Sequence, residues 1–425
     1  MRSLYLKKVY LFFSPFIVRT LIWFYFIYTK NIHSLLVYDA FIYIPTGVKY
    51  VNGLINLDFK VFLENCEHPP LAKIIIGITV ILFSKILGEI GAAVLSMIII
   101  SSFTALIVYK IGSTMNKRIG LISWLLFSLD PFSIHWAIAW LDTPMLLFMI
   151  AGIYYLFFRE KKNIWIAGIF FGLSFLCKYT SVAIFLFLIF FFKLFKITSL
   201  KKSLIALLIG IFILGLNPQY WGSKHFMQIF IKTRNAGFMN LPLIFTYLKD
   251  PRFHFWFFSY IWVFSNNHIR TFPLIISFIG FITIFYRYLN HEKLRYNLKS
   301  LLWLSATLFL LAFLPKHWVY YNIIIIPPLS LFVASLINNS MDREDKYSYK
   351  LFPILIPIGF LMALSILSII LALVFPSGWL FIGDLIRNYR ILKVISITAY
   401  ILTIILFFLS LLYTYFILLK NNVYF

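Results

Sequence analysis

The sequence predicts an all-α polytopic membrane protein with about twelve transmembrane helices, in a range of roughly 11 to 13. Three observations predict this class. Hydrophobic residues make up 62% of the 425 residues and charged residues only 12%, which is more apolar surface than one water-soluble core can bury. Apolar runs of about 17 to 25 residues, long enough to cross a bilayer as a helix, recur along the chain. Lys and Arg stand in short clusters between these runs.

The formal net charge of +24 comes from Lys and Arg residues that stand between the apolar runs. Because the basic clusters form no continuous stripe, orientation in the membrane and contact with membrane lipids explain the charge, and no nucleic-acid partner is expected. Two cysteines, Cys66 and Cys177, are too few for a disulfide framework. The first apolar run lacks a small-residue cleavage site and is therefore predicted to be a retained helix.

The basic loops predict the orientation of the chain. Because Lys and Arg favour cytoplasmic loops, both termini are predicted to be cytoplasmic, and the two long non-basic loops, 30–69 and 217–270, are predicted to lie outside. The predicted cytoplasmic loops are Lys110–Arg118, Arg159–Lys162, Lys193–Lys202, Arg287–Lys299 and Asp342–Lys350. The predicted spans are 9–29, 90–109, 119–137, 143–158, 164–177, 181–197, 203–217, 272–288, 299–315, 319–337, 352–375 and 391–417.

Residues 70–88 are apolar, but a membrane crossing there would break the alternation of cytoplasmic and outer loops along the chain. Counting them as a span would place either Glu67 or the basic loop at 115–118 on the wrong side of the membrane. We therefore predict an interfacial or re-entrant segment. Lys85 within it, and the Gly88-Glu89-Ile90-Gly91 sequence at its end, fit a segment that keeps polar groups at the membrane surface.

Asp39 stands at the start of the first predicted outer loop, directly after a hydrophobic stretch. It is followed by residues at helical spacing that predict an amphipathic helix along the membrane surface, namely Tyr43, Gly47, Tyr50 and Leu54. An acid in this position meets both lipid head groups and water. One alternative is that Asp39 only caps the surface helix.

The Glu67-His68-Pro69-Pro70 sequence closes the same loop. Two successive prolines fix the backbone and disfavour helix for the residue before each, so the turn is predicted to be rigid and to present Glu67 and His68 in a defined direction. In the alternative interpretation, the prolines begin the next helix and both polar side chains are solvated.

Asp142 provides another acid on the predicted outer face, within Trp140-Leu141-Asp142-Thr143-Pro144. Its position at a helix start makes it a plausible N-cap, with Pro144 in the first turn. A capping role and a functional role are compatible.

In this order, the motifs resemble the GT-C superfamily of membrane glycosyltransferases, specifically its protein O-mannosyltransferase and aminoarabinose transferase branch. In that family, an acid opens the first outer loop, a His-Pro-Pro-Leu turn follows, and a Leu-Asp element begins a later helix. The matching elements here are Asp39, His68–Lys73 and Leu141–Pro144. Further similarities are Gly172–Tyr179, Asn217–Trp221 and His317–Tyr321 ahead of Pro327-Pro328. The resemblance extends from residue 1 to about residue 335.

The resemblance implies a GT-C fold with a helical first extracytoplasmic loop. It implies a catalytic region at 1–335, followed by C-terminal transmembrane helices at 336–425. The implied activity moves a hexose or pentose from a polyprenyl-phosphate donor to a protein, lipid or glycan acceptor, at the extracytoplasmic face of a prokaryotic plasma membrane. Asp39 is the implied base. Many relatives have Asp-Glu where this chain has Asp39-Ala40, which leaves the acceptor type open.

The chemistry of such a transfer requires cations at the interface. A phosphate leaving group needs an anion clamp, and the acceptor hydroxyl needs one base, so inversion at the anomeric carbon is predicted. The predicted phosphate-binding cations are Lys73, Lys178 and His317 with the adjacent Lys316, joined by His68 if it is protonated, and Asp142 is a second catalytic candidate. The alternative for each lysine is ordinary snorkelling to the interface.

The resemblance firmly implies no cofactor, but aminoarabinose-type relatives can hold a divalent metal, with zinc as one candidate, at the positions of Asp39 and Glu67. A third ligand would come from His225, His254 or His268, whose spacing shows no metal-site pattern. The metal is therefore an alternative to a metal-free site.

A transporter or a lipid-linked-sugar flippase is the main alternative function. Transporters usually show paired halves and polar or broken helices near the membrane midplane. Here only Arg19 and Asp130 are ionisable and moderately deep in proposed spans, and the halves of the chain do not correspond. A structural scaffold would leave the acid-bearing outer loops unexplained.

Overall fold

A computed structural model of the protein describes residues 2–29, 40–64, 68–130, 133–134, 136–138, 140–194, 199–220, 299–300, 302–304, 306–307 and 323–341. Within these ranges the regular elements are helices and no strand occurs, so the predicted all-α class is confirmed there. The predicted number of spans also depends on residues outside these ranges. The helices are α1 (Arg2–Thr29), α2 (Ala40–Ile55), α3 (Leu71–Met115), α4 (Lys117–Leu129), α5 (Asp142–Ile153), α6 (Ile164–Phe175), α7 (Thr180–Leu194), α8 (Leu200–Gly215) and α9 (Ile326–Met341).

Short 3-10 helices occupy Phe59–Leu63, Trp136–Ile138 and Pro218–Tyr220, and a π-helix at Tyr154–Phe158 continues α5. Among the described residues, α3 has the length and hydropathy of a membrane span. Five shorter apolar helical stretches accompany it, over Val9–Tyr25, Asp142–Phe158, Ile164–Phe175, Thr180–Lys193 and Ile323–Ser335.

Helix α3 is interrupted at Gly88. Its 45 residues would measure about 65 Å as one straight helix, roughly twice the hydrocarbon thickness of a bilayer. Gly88 adopts φ 69° and ψ 165°, a conformation that residues with a side chain rarely adopt, and it separates residues 71–87 from residues 89–115. The first part coincides with the segment predicted at 70–88, and its interfacial location stays a prediction.

The predicted span at 119–137 was too long. Helix α4 ends at Leu129, and Asp130 is extended, with φ −63° and ψ 120°. Pro131 follows Asp130, and the ring of a proline disfavours helical backbone in the residue before it. The sequence therefore contained the signal for the earlier helix end.

Arg19 joins α1 to the end of α4. The side chain is fully buried, and its Nη2 donates to the carbonyl oxygen of Phe127 at 3.1 Å and to Oγ of Ser133 at 3.0 Å. Phe127 lies in the last turn of α4, where carbonyl groups have no partner within the helix. These two hydrogen bonds give Arg19 a role in helix packing. Its position deep in a predicted span is therefore not by itself a sign of a transport path.

Helices α2 and α3 approach each other through Gly47 and Gly77. A Cβ atom added at Gly77 would lie 2.1 Å from the Gly47 carbonyl oxygen, and one added at Gly47 would lie 2.3 Å from the Lys73 carbonyl oxygen. Only glycine permits backbones to approach so closely. The contact holds α2 against the N-terminal turns of α3, which carry Lys73.

We expect Gly77→Ala to destabilise the protein by about 1 to 3 kcal/mol, because the added methyl group must push α2 away from α3. The matched control is Gly215→Ala in α8, where an added Cβ meets no atom of the described residues within 4 Å. Unfolding of the detergent-solubilised variants would measure the difference. Equal stability of Gly77→Ala and Gly215→Ala would show that the close contact is not needed.

Helices α6 and α8 run parallel. A Cβ atom at Gly168 would meet Ile209, one at Gly172 would meet Ile213, and the pairs advance together along both helices. Parallel packing places the N-terminal ends of α6 and α8, next to their preceding basic loops, at one end of the pair. Their C-terminal ends, which lead into Cys177-Lys178 and Asn217-Pro218, lie together at the opposite end.

Candidate functional site

Three segments meet at the C-terminal end of α6. The backbone N–H of Leu71, at the start of α3, donates to the carbonyl oxygen of Leu176 at 3.0 Å. Oγ of Ser174 in α6 donates to the carbonyl oxygen of Met145 in the first turns of α5 at 2.9 Å. These bonds join the proline turn before α3, the start of α5 and the turn after α6, so the predicted site residues on these segments are brought together.

Asp142 and Lys178 form a buried ion pair. Nζ of Lys178 lies 2.8 Å from both carboxylate oxygens of Asp142, and both side chains are 4% exposed. Asp142 is the first residue of α5, whose N-cap is Leu141, so the positive end of the helix dipole also faces the carboxylate. The simple alternative in which Asp142 is the N-cap is therefore wrong.

Lys73 is fully buried beneath α2. Its Nζ donates to the carbonyl oxygen of His68 at 3.1 Å and lies 5.7 Å from the ring centroid of Tyr43 and 5.5 Å from that of Tyr50. Cations are attracted to the faces of aromatic rings, so the two tyrosines hold the ammonium group in place. Snorkelling to solvent describes neither Lys73 nor Lys178, which is also buried.

His68 is close to both lysines. Its ring packs edge-to-face against Tyr43, with 6.1 Å between the ring centroids. Burial, followed by repulsion from the Lys178 and Lys73 ammonium groups, lowers the pKa of His68 from 6.5 to about 3. His68 is therefore neutral at pH 7 here, and it offers a hydrogen-bonding nitrogen and no charge. A bound anion would raise this pKa again.

Asn217 and Gln219 connect the turn after α8 to this site. Nε2 of Gln219 lies 3.4 Å from both the hydroxyl oxygen of Tyr50 and the carbonyl oxygen of His68. Nδ2 of Asn217 donates to Oε1 of Gln219 at 3.1 Å, and both side chains are buried. Sequence reasoning gave no site role to Gln219 or to the two tyrosines. The Asn-Pro-Gln-Tyr sequence directly after a helix was the available signal.

The structure thus brings together four predicted site residues, namely His68, Lys73, Asp142 and Lys178. The described charged side chains among them are two ammonium groups and one carboxylate. In a buried environment, this excess of positive charge favours an anionic ligand such as a phosphate ester.

The remaining predicted site residues lie outside the described ranges. These are the base Asp39, the metal candidate Glu67, the cations Lys316 and His317, and the histidines His225, His254 and His268. Within the described ranges, no group of three His, Cys, Asp or Glu side chains could hold a metal ion. The base and the metal therefore stay predictions.

Comparisons with known proteins give a family match for the region that contains this cluster. Residues 67–221 match the family described as dolichyl-phosphate-mannose-protein mannosyltransferase. A similar solved structure is titled "Crystal Structure of ArnT from Cupriavidus metallidurans bound to Undecaprenyl phosphate", with 13% identity and a TM-score of 0.40. The similarity covers 80% of this chain and 66% of that chain, just under two thirds of its length. A comparison with curated proteins gives no match. Residues 67–221, about a third of the chain, are thus similar to a mannosyltransferase family, in agreement with the resemblance that the sequence motifs predicted for this region.

Proposed function

We propose that the protein is a glycosyltransferase that moves a sugar from a polyprenyl-phosphate donor to an acceptor at the extracytoplasmic face. One observation carries the proposal. Within the segment that matches the mannosyltransferase family, Lys73, Lys178, His68 and Asp142 converge from three separate parts of the chain. Dolichyl phosphate, which the family description names, is a polyprenyl phosphate, and the cluster carries the charge that such a ligand requires.

Lys73 is the proposed contact for the donor phosphate. The bond from the anomeric carbon to the phosphate oxygen breaks with its electron pair on that oxygen, so the charge of the phosphate group grows from about −1 to about −2. An ammonium group that is already in position stabilises this growing charge without further reorganisation. The contacts of Lys73 with Tyr43 and Tyr50 supply that positioning.

Lys178 is the second proposed phosphate contact, and Asp142 positions it. Both carboxylate oxygens of Asp142 lie 2.8 Å from the Lys178 ammonium. This engagement favours a positioning role for Asp142 over proton abstraction from an acceptor. His68, neutral in the free protein, could donate one hydrogen bond to a phosphate oxygen and would become a stronger partner if the bound anion raised its pKa.

Asp39 is the proposed base. It directly precedes α2, the helix whose Tyr43 and Tyr50 lie over Lys73. Removal of the acceptor proton by one carboxylate, with attack on the face opposite the departing phosphate, gives a single displacement and inversion at the anomeric carbon. If a divalent metal binds at Asp39 and Glu67, it would supply Lewis-acid stabilisation there.

We expect Asp39→Asn to lower transfer by about 10² to 10⁴-fold while leaving membrane insertion and folding unchanged, because the amide cannot accept the proton. The control is Asp58→Asn in the same predicted loop. The exposed Asp58 caps a 3-10 helix through its Oδ1, which asparagine can replace. The assay follows a labelled sugar from a polyprenyl-phosphate carrier to acceptor in reconstituted vesicles.

Wild-type rates from Asp39→Asn would remove this residue from the mechanism. The same vesicles test the transporter alternative. Flux of a solute or a lipid-linked sugar without any glycosyl transfer would favour a transporter or flippase and would contradict the proposed enzyme.

A further inference from the structure

A cluster of basic residues lies at the end of the α6 and α8 pair that is opposite the proposed donor site. Parallel packing brings the loop before α6 and the start of α8 to this end. The basic cluster comprises Arg159, Lys161, Lys162, Lys201, Lys202 and Lys299. In the described parts of these segments, Glu160 is the one acidic residue, and it is exposed.

Lys299 brings a third segment into the basic cluster. Its Nζ lies 3.4 Å from the carbonyl oxygen of Phe157 and 5.7 Å from the ring centroid of Phe158, just before the loop that contains Lys162. Lys299 and Lys162 are close enough to repel each other. Partial burial, followed by repulsion from Lys202, lowers the pKa of Lys162. Lysines from three segments therefore converge on one region.

The described residues around the basic cluster do little to balance its charge. The first turns of α6 and α8 contain no acidic residue, so the positive ends of both helix dipoles add to the field of the lysines. Apolar side chains are exposed beside it. Trp165 is 70% exposed and Leu204 is 43% exposed. Exposed tryptophan next to lysine is typical of the boundary between lipid head groups and acyl chains.

We propose that the basic cluster binds the phosphodiester headgroup of an anionic phospholipid, in the leaflet that meets this end of the helices. Lys162, Lys202 and Lys299 hold the phosphate, and Trp165 packs against the upper acyl chain. The adjacent apolar side chains favour a lipid over a soluble phosphate. This site is separate from the donor site, because the two lie at opposite ends of α6 and α8.

Native mass spectrometry of the full chain in detergent, titrated with phosphatidylglycerol or phosphatidylcholine of the same acyl length, tests the proposal. We expect the wild-type protein to retain phosphatidylglycerol preferentially. The triple variant Lys162→Gln, Lys202→Gln, Lys299→Gln should lose at least about tenfold of this preference, since one lysine near an anionic surface contributes about fivefold. The single variant Lys202→Gln should lose about fivefold of this preference. It replaces the triple variant as the test if the triple variant does not fold.

The matched control removes three exposed basic residues that are not members of the basic cluster, by Lys117→Gln, Arg118→Gln and Lys193→Gln. It should retain the lipid preference within about twofold. Equal losses in both triple variants, or no preference in the wild-type protein, would overturn the proposal. Displacement of the lipid by glycerophosphoglycerol at equal concentration would also overturn it, because the site would then bind a soluble anion.

Discussion

Lys178→Met is expected to destabilise the protein by about 3 to 5 kcal/mol, because it leaves the Asp142 carboxylate buried without its ion-pair partner. Both side chains are only 4% exposed, so water cannot replace the lost contact without rearrangement of α5 and α6. Denaturant unfolding of the detergent-solubilised protein would measure the change. A loss below about 1 kcal/mol would mean that the pair behaves as an exposed one.

The double variant Asp142→Asn, Lys178→Met separates the stability of this pair from its function. Removing both charges together should restore much of the lost stability, because no unpaired buried charge remains. Glycosyl transfer should stay low, since the proposed second phosphate contact is absent. A double variant with wild-type stability and wild-type transfer would make the pair purely structural.

Lys73→Met is expected to lower kcat/KM for transfer by about 10² to 10³-fold, the usual effect of removing one positioned group that stabilises transition-state charge. Methionine keeps most of the side-chain volume beneath Tyr43 and Tyr50 but has no charge. Initial rates at several donor concentrations would divide the loss between kcat and KM. Loss mainly in kcat would indicate stabilisation of the developing phosphate charge, whereas loss mainly in KM would indicate ground-state binding.

Lys49→Met is the matched control for this substitution. Lys49 lies on α2, the helix that carries Tyr43 and Tyr50, and forms a 2.8 Å ion pair with Glu64, but the Lys49 and Glu64 side chains are 60% and 56% exposed. Exposed pairs contribute little, so transfer should change by less than about twofold. Equal losses in Lys49→Met and Lys73→Met would argue against a specific role for the buried lysine.

The sequence predicted the site residues better than their contacts. Asp142 and Lys178 were both assigned to the outer face from the signs of the loops, and the structure brings them together. Their pairing could not be predicted, because it depends on how α5 packs on α6 through the Ser174 to Met145 hydrogen bond. Loop charge reports on the side of the membrane, whereas tertiary packing decides which residues meet.

The tyrosine contacts of Lys73 show the same limit. Helical spacing placed Tyr43 and Tyr50 on one face of α2, and the structure confirms that helix. Which residue lies beneath that face depends on the contact of Gly47 with Gly77. The two backbones meet there at a distance that sequence spacing does not specify. Small residues facing each other on two helices were the signal that could have indicated it.

An experimental structure with polyprenyl phosphate bound would test the central claim most directly. The proposed function predicts phosphate oxygens within about 3.2 Å of the Lys73 ammonium, on the side of the molecule where α6 and α8 end. Phosphate bound away from Lys73, Lys178 and His68, for example at the N-terminal ends of α6 and α8, would contradict the assignment of this cluster as the donor site.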